Sequence, residues 1–197
     1  MPLTISKGNM KLGNIPNLSL PPIKTCRNNQ LCAKKCYAMK SFRQYPNVRK
    51  AWEGNLRLWK RDPKAYFGQL DDWLHKHNPA YFRFHVGGDC PDKEYMSQVY
   101  TTAYLHPRTQ FLMFTKRWDM LHGETRPNLH IIISRWPGDQ EPRRPGPVDN
   151  YAQAWVQDPK NPDARIPADA YKCPGSCMDC KYCFHAVPKQ NVVFHIH

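Results

Sequence analysis

The chain has no apolar run approaching the ~20 residues that span a bilayer, so a membrane helix is not expected. Its first twenty residues, MPLTISKGNMKLGNIPNLSL, contain no apolar h-region and no small-residue cleavage site. A secretory leader is therefore not expected, and a cytoplasmic protein is. That compartment keeps thiols reduced, which makes a disulfide framework the weaker account of eight cysteines. Internal repeats and low-complexity tracts are absent. Acid is nearly missing from the first third. Residues 1–61 carry thirteen Lys and Arg against the single acid Glu53, leaving +12 of the chain's +13 there. The ordinary outcome of such a run is a solvated basic face. The sharper one is a positive environment for an anion: a thiolate-ligated cluster, an acidic substrate or nucleic-acid phosphate. No recognition-helix or RNA-binding motif accompanies the charge.

What the chain does have is cysteine in two tight groups. Cys26, Cys32 and Cys36 lie in TCRNNQLCAKKCYA, and Cys173, Cys177, Cys180 and Cys183 lie in CPGSCMDCKYCF. Thiols at such short intervals are metal or iron–sulfur ligands far more often than packing residues. Three on a four-iron cluster leave one iron open, whereas four can close a site. For the first group, a zinc site completed by a histidine competes with a [4Fe–4S] cluster. For the second, four thiols within eleven residues can wrap one cubane or one tetrahedral zinc. The compact run, without two separated CxxC pairs, leans toward iron–sulfur. Cys90 stands alone and reads as a small packing residue.

With 197 residues, 41% of them hydrophobic, the chain reads as a single α/β domain over 1–197, including a cysteine-rich segment at 170–190. Nineteen prolines concentrate in connections, notably 16–22 and 137–163. Residues 47–60 read as a helix, and Asp62-Pro63 as the cap and first residue of another running to about 77. The apolar runs 81–86, 110–115 and 128–134 read as buried parallel strands, with a helix at 91–105 between the first two. Residues 151–156 and 191–197 read as further strands. Strand–helix–strand units imply right-handed crossovers, and the whole suggests a small or incomplete parallel β/α barrel.

Ligands of α/β sheets bind outside the carboxyl ends of the strands, which singles out HVGGDC at 85–90. Gly87 and Gly88 permit close backbone approach, and Asp89 is placed to accept from an amine or ribose. A tight turn with Asp89 starting the next helix is the equal alternative. Thr115, Lys116 and Arg117 end the next strand and Ser134 and Arg135 the one after, so their polar groups are expected around one mouth. His85, His195 and His197 alternate along their strands and read singly as structural histidines.

KTC…C…CYA, PNVR…N, FRFHVGGD, FLMFTKRW and the terminal CxxCxxCF resemble, in the same order, the phage gene product 88 family over roughly residues 18–197. That resemblance implies a viral or prophage origin, hence the host cytoplasm. More distantly, the cysteine triad, the glycine-glycine-acid motif and the βα repeats resemble the radical S-adenosylmethionine (SAM) fold. This implies a [4Fe–4S] cluster on Cys26, Cys32 and Cys36 and SAM held by Gly87, Gly88 and Asp89, near Lys116 and Arg117. It also implies a second, auxiliary cluster on the C-terminal cysteines. Reductive cleavage of SAM would then generate a radical acting on an unknown small or anionic substrate. The spacing here is x5 and x3 where that fold has CxxxCxxC, and Asp89 stands where Glu is usual. Two alternatives are a non-catalytic iron–sulfur redox protein and a zinc-stabilised module binding nucleic acid through the basic N-terminal third.

Overall fold

The fold was analysed in a computed structural model describing residues 1–26, 30–121, 123, 126–137, 150–158, 160 and 163–195. Seven strands form one sheet in the order β1-β2-β3-β4-β5-β7-β6, with every neighbouring pair parallel. The strands are β1 (Asn17–Leu18), β2 (Tyr81–Phe84), β3 (Gln110–Thr115), β4 (Leu129–Arg135), β5 (Ala152–Gln157), β6 (Tyr171–Lys172) and β7 (Asn191–His195). The edge strands β1 and β6 do not pair with each other among the described residues, so the sheet is open.

The strands are apolar on both faces because both faces are covered, as parallel sheets require. Phe82, Phe84, Phe111, Met113, Ile131 and Ile133 face a helical layer. That layer is built from α3 (Pro46–Arg61), α4 (Pro63–His77) and α5 (Lys93–Leu105), with Trp59, Tyr66, Leu70, Tyr95 and Val99 in its core. Asp62 caps α4 by accepting from the Ala65 N–H at 2.9 Å. Asp92 caps α5 through the Tyr95 N–H at 2.8 Å and also accepts from the Trp59 indole at 3.0 Å.

The alternate residues Leu112, Ile132, Ala152, Ala154 and Val192 point to the other face. Two chain segments cover it: Leu12 and Ile15 of the N-terminal stretch, and Phe184 of the cysteine-rich segment. Thus the C-terminal cysteines belong to the cover of the inner face and do not form an appendage.

The expected helices and strands recur within a few residues of their ranges. A helix separates β2 from β3 as anticipated, but only a 3₁₀ turn, Trp118–Met120, lies between β3 and β4 among the described residues. Further elements carry no long periodic pattern, among them β1, α1 (Gln30–Lys34) and α2 (Tyr37–Gln44). His197, expected in the last strand, lies outside the described residues. No described helix is long and apolar enough to cross a membrane.

Candidate metal centre and cavity

The N-terminal cysteines do not share a plain loop. Cys32 lies in the five-residue α1, and Cys36 is the N-cap residue of α2. Cys26 is within electrostatic reach of both Cys32 and Cys36, and of Asp89 at the end of β2. The triad is therefore gathered beside the HVGGDC turn. Burial, then the Asp89 carboxylate, pushes the Cys26 thiol up to about 12. An open groove of about 760 Å³ runs past Cys36, and Lys34, Lys40 and Arg43 line it. Part of the basic first third thus lies around the triad. Lys35 reaches across the mouth of the sheet to Asp158, just past β5, at 3.0 Å.

The HVGGDC turn is held by packing and by hydrogen bonds. Gly88 has φ +77°, and a Cβ there would sit 2.6 Å from the Leu20 carbonyl oxygen and from Thr25 Oγ1. A Cβ on Gly87 would overlap the Trp52 ring. Asp89 is buried, and three internal donors reach its carboxylate. Thr115 Oγ1 (2.7 Å) and the Cys90 N–H (2.7 Å) donate to Oδ1, and the Lys116 N–H (2.9 Å) to Oδ2. Burial still dominates and pushes its pKa up to about 6. The Asp89 N–H donates to Thr25 Oγ1 at 3.0 Å, and Thr25 Oγ1 donates to the Pro21 carbonyl at 2.9 Å. Asp89 is thus a clamp between strand ends, and Asp92, not Asp89, starts the next helix.

The polar strand ends do not all face one mouth. Arg117, 2% exposed, turns inward: its guanidinium donates to Asp119 at 2.9 and 3.0 Å and to the Cys90 and Pro91 carbonyls at 3.1 Å each. Lys116 Nζ approaches the Ser134 carbonyl at 3.4 Å, linking the ends of β3 and β4. Arg135 donates to Gln153 and lies over the Trp118 and Trp155 rings. Cys90 is fully buried and its thiol donates to the Asp92 carbonyl, as a packing residue would. His85 is buried with φ +59°. Its Nε2 meets the Tyr95 hydroxyl at 3.0 Å, and desolvation pulls its pKa down to about 3, so the ring is neutral.

The C-terminal four are arranged by a turn of their own. Cys173, just past the edge strand β6, donates its N–H to the Val193 carbonyl of β7, and Cys177, opening α6 (Cys177–Cys180), donates to the Lys11 carbonyl at 2.8 Å. Lys181, in the left-handed region at φ +53°, reverses the chain into the 3₁₀ turn Tyr182–His185, which carries Cys183. Burial pushes the Cys183 thiol up to about 12, and the other three thiols of the group add to it.

A cavity of about 540 Å³ lies between this segment and the inner face of the sheet. All four C-terminal cysteines line it, as do Tyr37, Arg83, Phe114 and Phe194. Tyr37 is the residue that joins the two groups. It follows Cys36 in the chain, and both Cys36 and Cys177 act on its hydroxyl. Its ring is half exposed, while the hydroxyl reaches inward and donates to the Val86 carbonyl at 2.7 Å. Cys36 of the triad and Cys177 of the four therefore flank one residue on the wall of this cavity, a relation that their separation in sequence does not reveal.

Among the described residues, only Asp71, His75 and His106 bring three ligand-type atoms within 4.8 Å of one another. This group ties α4 to the end of α5 through the 2.7 Å pair of His106 Nε2 with Asp71, and no sequence motif announces it. No three of the described thiols come so close. Four sulfurs on one zinc, with bonds of about 2.3 Å to tetrahedral corners, would lie about 3.8 Å apart.

A family model described as gene product 88 matches residues 3–186. The chain belongs to the phage gene product 88 family. The match spans the triad, the HVGGDC turn and all four C-terminal cysteines. No curated protein and no solved structure matches the chain.

Proposed function

We propose that this gene product 88 protein is an iron–sulfur protein on a small, incomplete, radical-SAM-like parallel β/α barrel. Cys26, Cys32 and Cys36 would hold a [4Fe–4S] cluster, and Cys173, Cys177, Cys180 and Cys183 a second. The observation that carries this reading is Tyr37, which follows Cys36 of the triad and lines the cavity walled by the four C-terminal cysteines. The donor chemistry fits: seven thiols in two groups, each set more widely than a single tetrahedral ion needs. When bound, such a group supplies one-electron chemistry and, where one iron lacks a cysteine, a position open to a ligand.

The protein's own residues have separable tasks in this reading. Lys34, Lys40 and Arg43 line the groove at Cys36 and supply positive charge beside the triad, where burial disfavours the Cys26 thiolate. Phe114, Val156 and Phe194 keep the cavity wall apolar and limit water. The strand-end residues fit SAM less well than the thiols fit a cluster. Arg117 is engaged internally, Gly87 and Gly88 are closed off by Trp52 and Leu20, and only Oδ2 of Asp89 has a single donor.

Anaerobic purification with iron, sulfide and zinc analysis, followed by electron paramagnetic resonance with and without SAM, tests the proposal. Iron and sulfide together with a cluster spectrum support it, and a spectrum that changes with SAM adds an enzyme of that class. A colourless protein with stoichiometric zinc would sink it.

A further inference from the structure

Arg83 is the odd residue of the inner face. The neighbouring strands pair it with Asn17 on β1 and Leu112 on β3, and side chains alternate so that Leu112, Phe114 and Ala154 share its cavity. An aliphatic residue would suit such a wall. Arg83, 8% exposed, instead lies there with its guanidinium over the Phe114 ring at 4.9 Å, beside Tyr37, and with Nε lacking any partner. No carboxylate pairs with it among the described residues. A buried cation is ordinarily paired, because desolvation penalises it otherwise. Two further cations stand on the same rim: Lys11 over the Phe194 ring at 4.7 Å and Lys181 over the Tyr81 ring at 5.4 Å.

The cavity, at about 540 Å³, is within the usual range for a small-molecule site. Its wall is chiefly apolar and aromatic by area, and several cations stand on it, among them the buried Arg83, whose Nε has no partner. A guanidinium fork matches carboxylate and phosphate oxygens two at a time. We propose that Arg83 anchors a small organic anion in this cavity, its carboxylate or phosphate on the guanidinium and its apolar or aromatic body against Phe114 and Phe194. This names the ligand class for the cavity of the proposed iron–sulfur site and to that extent rests on the reading above. The anion site itself is carried by Arg83 and the cavity.

The test is calorimetric titration of the full anaerobically purified chain with benzoate and with phenyl phosphate, with benzyl alcohol as the uncharged comparator. At least one anion binds and raises the melting temperature, whereas benzyl alcohol binds far more weakly. The better anion identifies which head group the site takes. Arg83→Met weakens anion binding by about 30-fold or more and, without a probe, melts no lower than the unaltered chain. Arg83→Lys keeps the charge without the fork and falls between the two. If neither anion binds the unaltered chain, or Arg83→Met binds both within twofold of it, the proposal is overturned. Loss of iron and sulfide in Arg83→Met, with no anion binding to the unaltered chain, would overturn it in favour of a counter-ion for the thiolates and leave the iron–sulfur reading standing. Arg83-dependent anion binding to a chain that never acquires iron would do the reverse.

Discussion

The two cysteine groups, one lining the cavity and the other adjoining it through Tyr37, are assembled by different means. The triad is assembled by tertiary structure. Cys26, Cys32 and Cys36 come from a loop, a short helix and a helix cap, braced against a turn that Thr25, Asp89 and Thr115 lock to the ends of β2 and β3. The C-terminal four are assembled by local geometry. They share eleven residues, one turn of helix and a left-handed reversal at Lys181, and their long-range anchors include backbone bonds to Val193 and Lys11, the burial of Phe184 against Tyr81 and Lys181 over the Tyr81 ring. A group that depends on distant braces should be sensitive to substitutions that never touch a cysteine. A self-contained group should not.

The largest expected effect is on metal content. Cys26→Ala and Cys36→Ala should each remove about half of the iron and sulfide, and Cys177→Ala and Cys183→Ala the other half, as two four-iron sites require. Loss of all iron from any one of these variants would show a single shared site and break the comparison.

Backbone substitutions come next. Gly88→Ala forces a Cβ to 2.6 Å from backbone oxygen at φ +77°, and should cost about 3 kcal/mol in urea unfolding. Gly175→Ala in the C-terminal group has φ +95° but nothing within 4 Å, so only the conformational penalty remains, about 1–2 kcal/mol. Equal costs would mean that the HVGGDC turn is not the tighter brace. Smaller again is the hydrogen-bond pair: Thr115→Val strips a donor from buried Asp89 and should cost about 2 kcal/mol, whereas Ser176→Ala, which loses an exposed bond to Asp179, should cost less than about 1 kcal/mol.

A further set of effects appears as slopes of stability against pH, and they have opposite signs. Asp89 has an ordinary value of 3.8 and a folded value of about 6, so the folded chain holds a proton that the unfolded chain has released. Its contribution is complete below pH 3.8 and is lost as pH rises to 6. His85 has an ordinary value of 6.5 and a folded value of about 3. Its contribution is complete above pH 6.5 and is lost as pH falls toward 3. Between pH 6 and 4, Asp89→Asn should therefore make the fall in urea midpoint on acidification steeper, and His85→Asn should make it shallower. Parallel profiles for the two variants would refute the assignment.

Much of the frame was legible in the chain. Asp62-Pro63 marked a helix start because the carboxylate and the missing N–H both suit a first turn. YFRF and QFLMFT read as strands because β-forming residues buried on both faces leave no other pattern. The short α1 and α2 were not legible, since a few polar residues held by contacts with distant strands carry no period. Arg117 looked like a mouth-facing cation because strand ends usually face ligands. Only the fold shows Asp119 and two carbonyls drawing it inward. Arg83, flanked by phenylalanines in an apolar strand, gave no signal beyond being out of pattern.

By itself the sequence determined the donor chemistry, the parallel α/β class and the family, because thiol spacing, apolar periodicity and motif order are local properties. The tertiary structure alone decided that Cys36 and Cys177 flank Tyr37, that Asp89 clamps two strands, and that Arg83 lies buried in the cavity wall with no carboxylate partner among the described residues. Each of these depends on which distant residues meet, and the meeting is set by burial of the sheet's two faces against different segments of the chain.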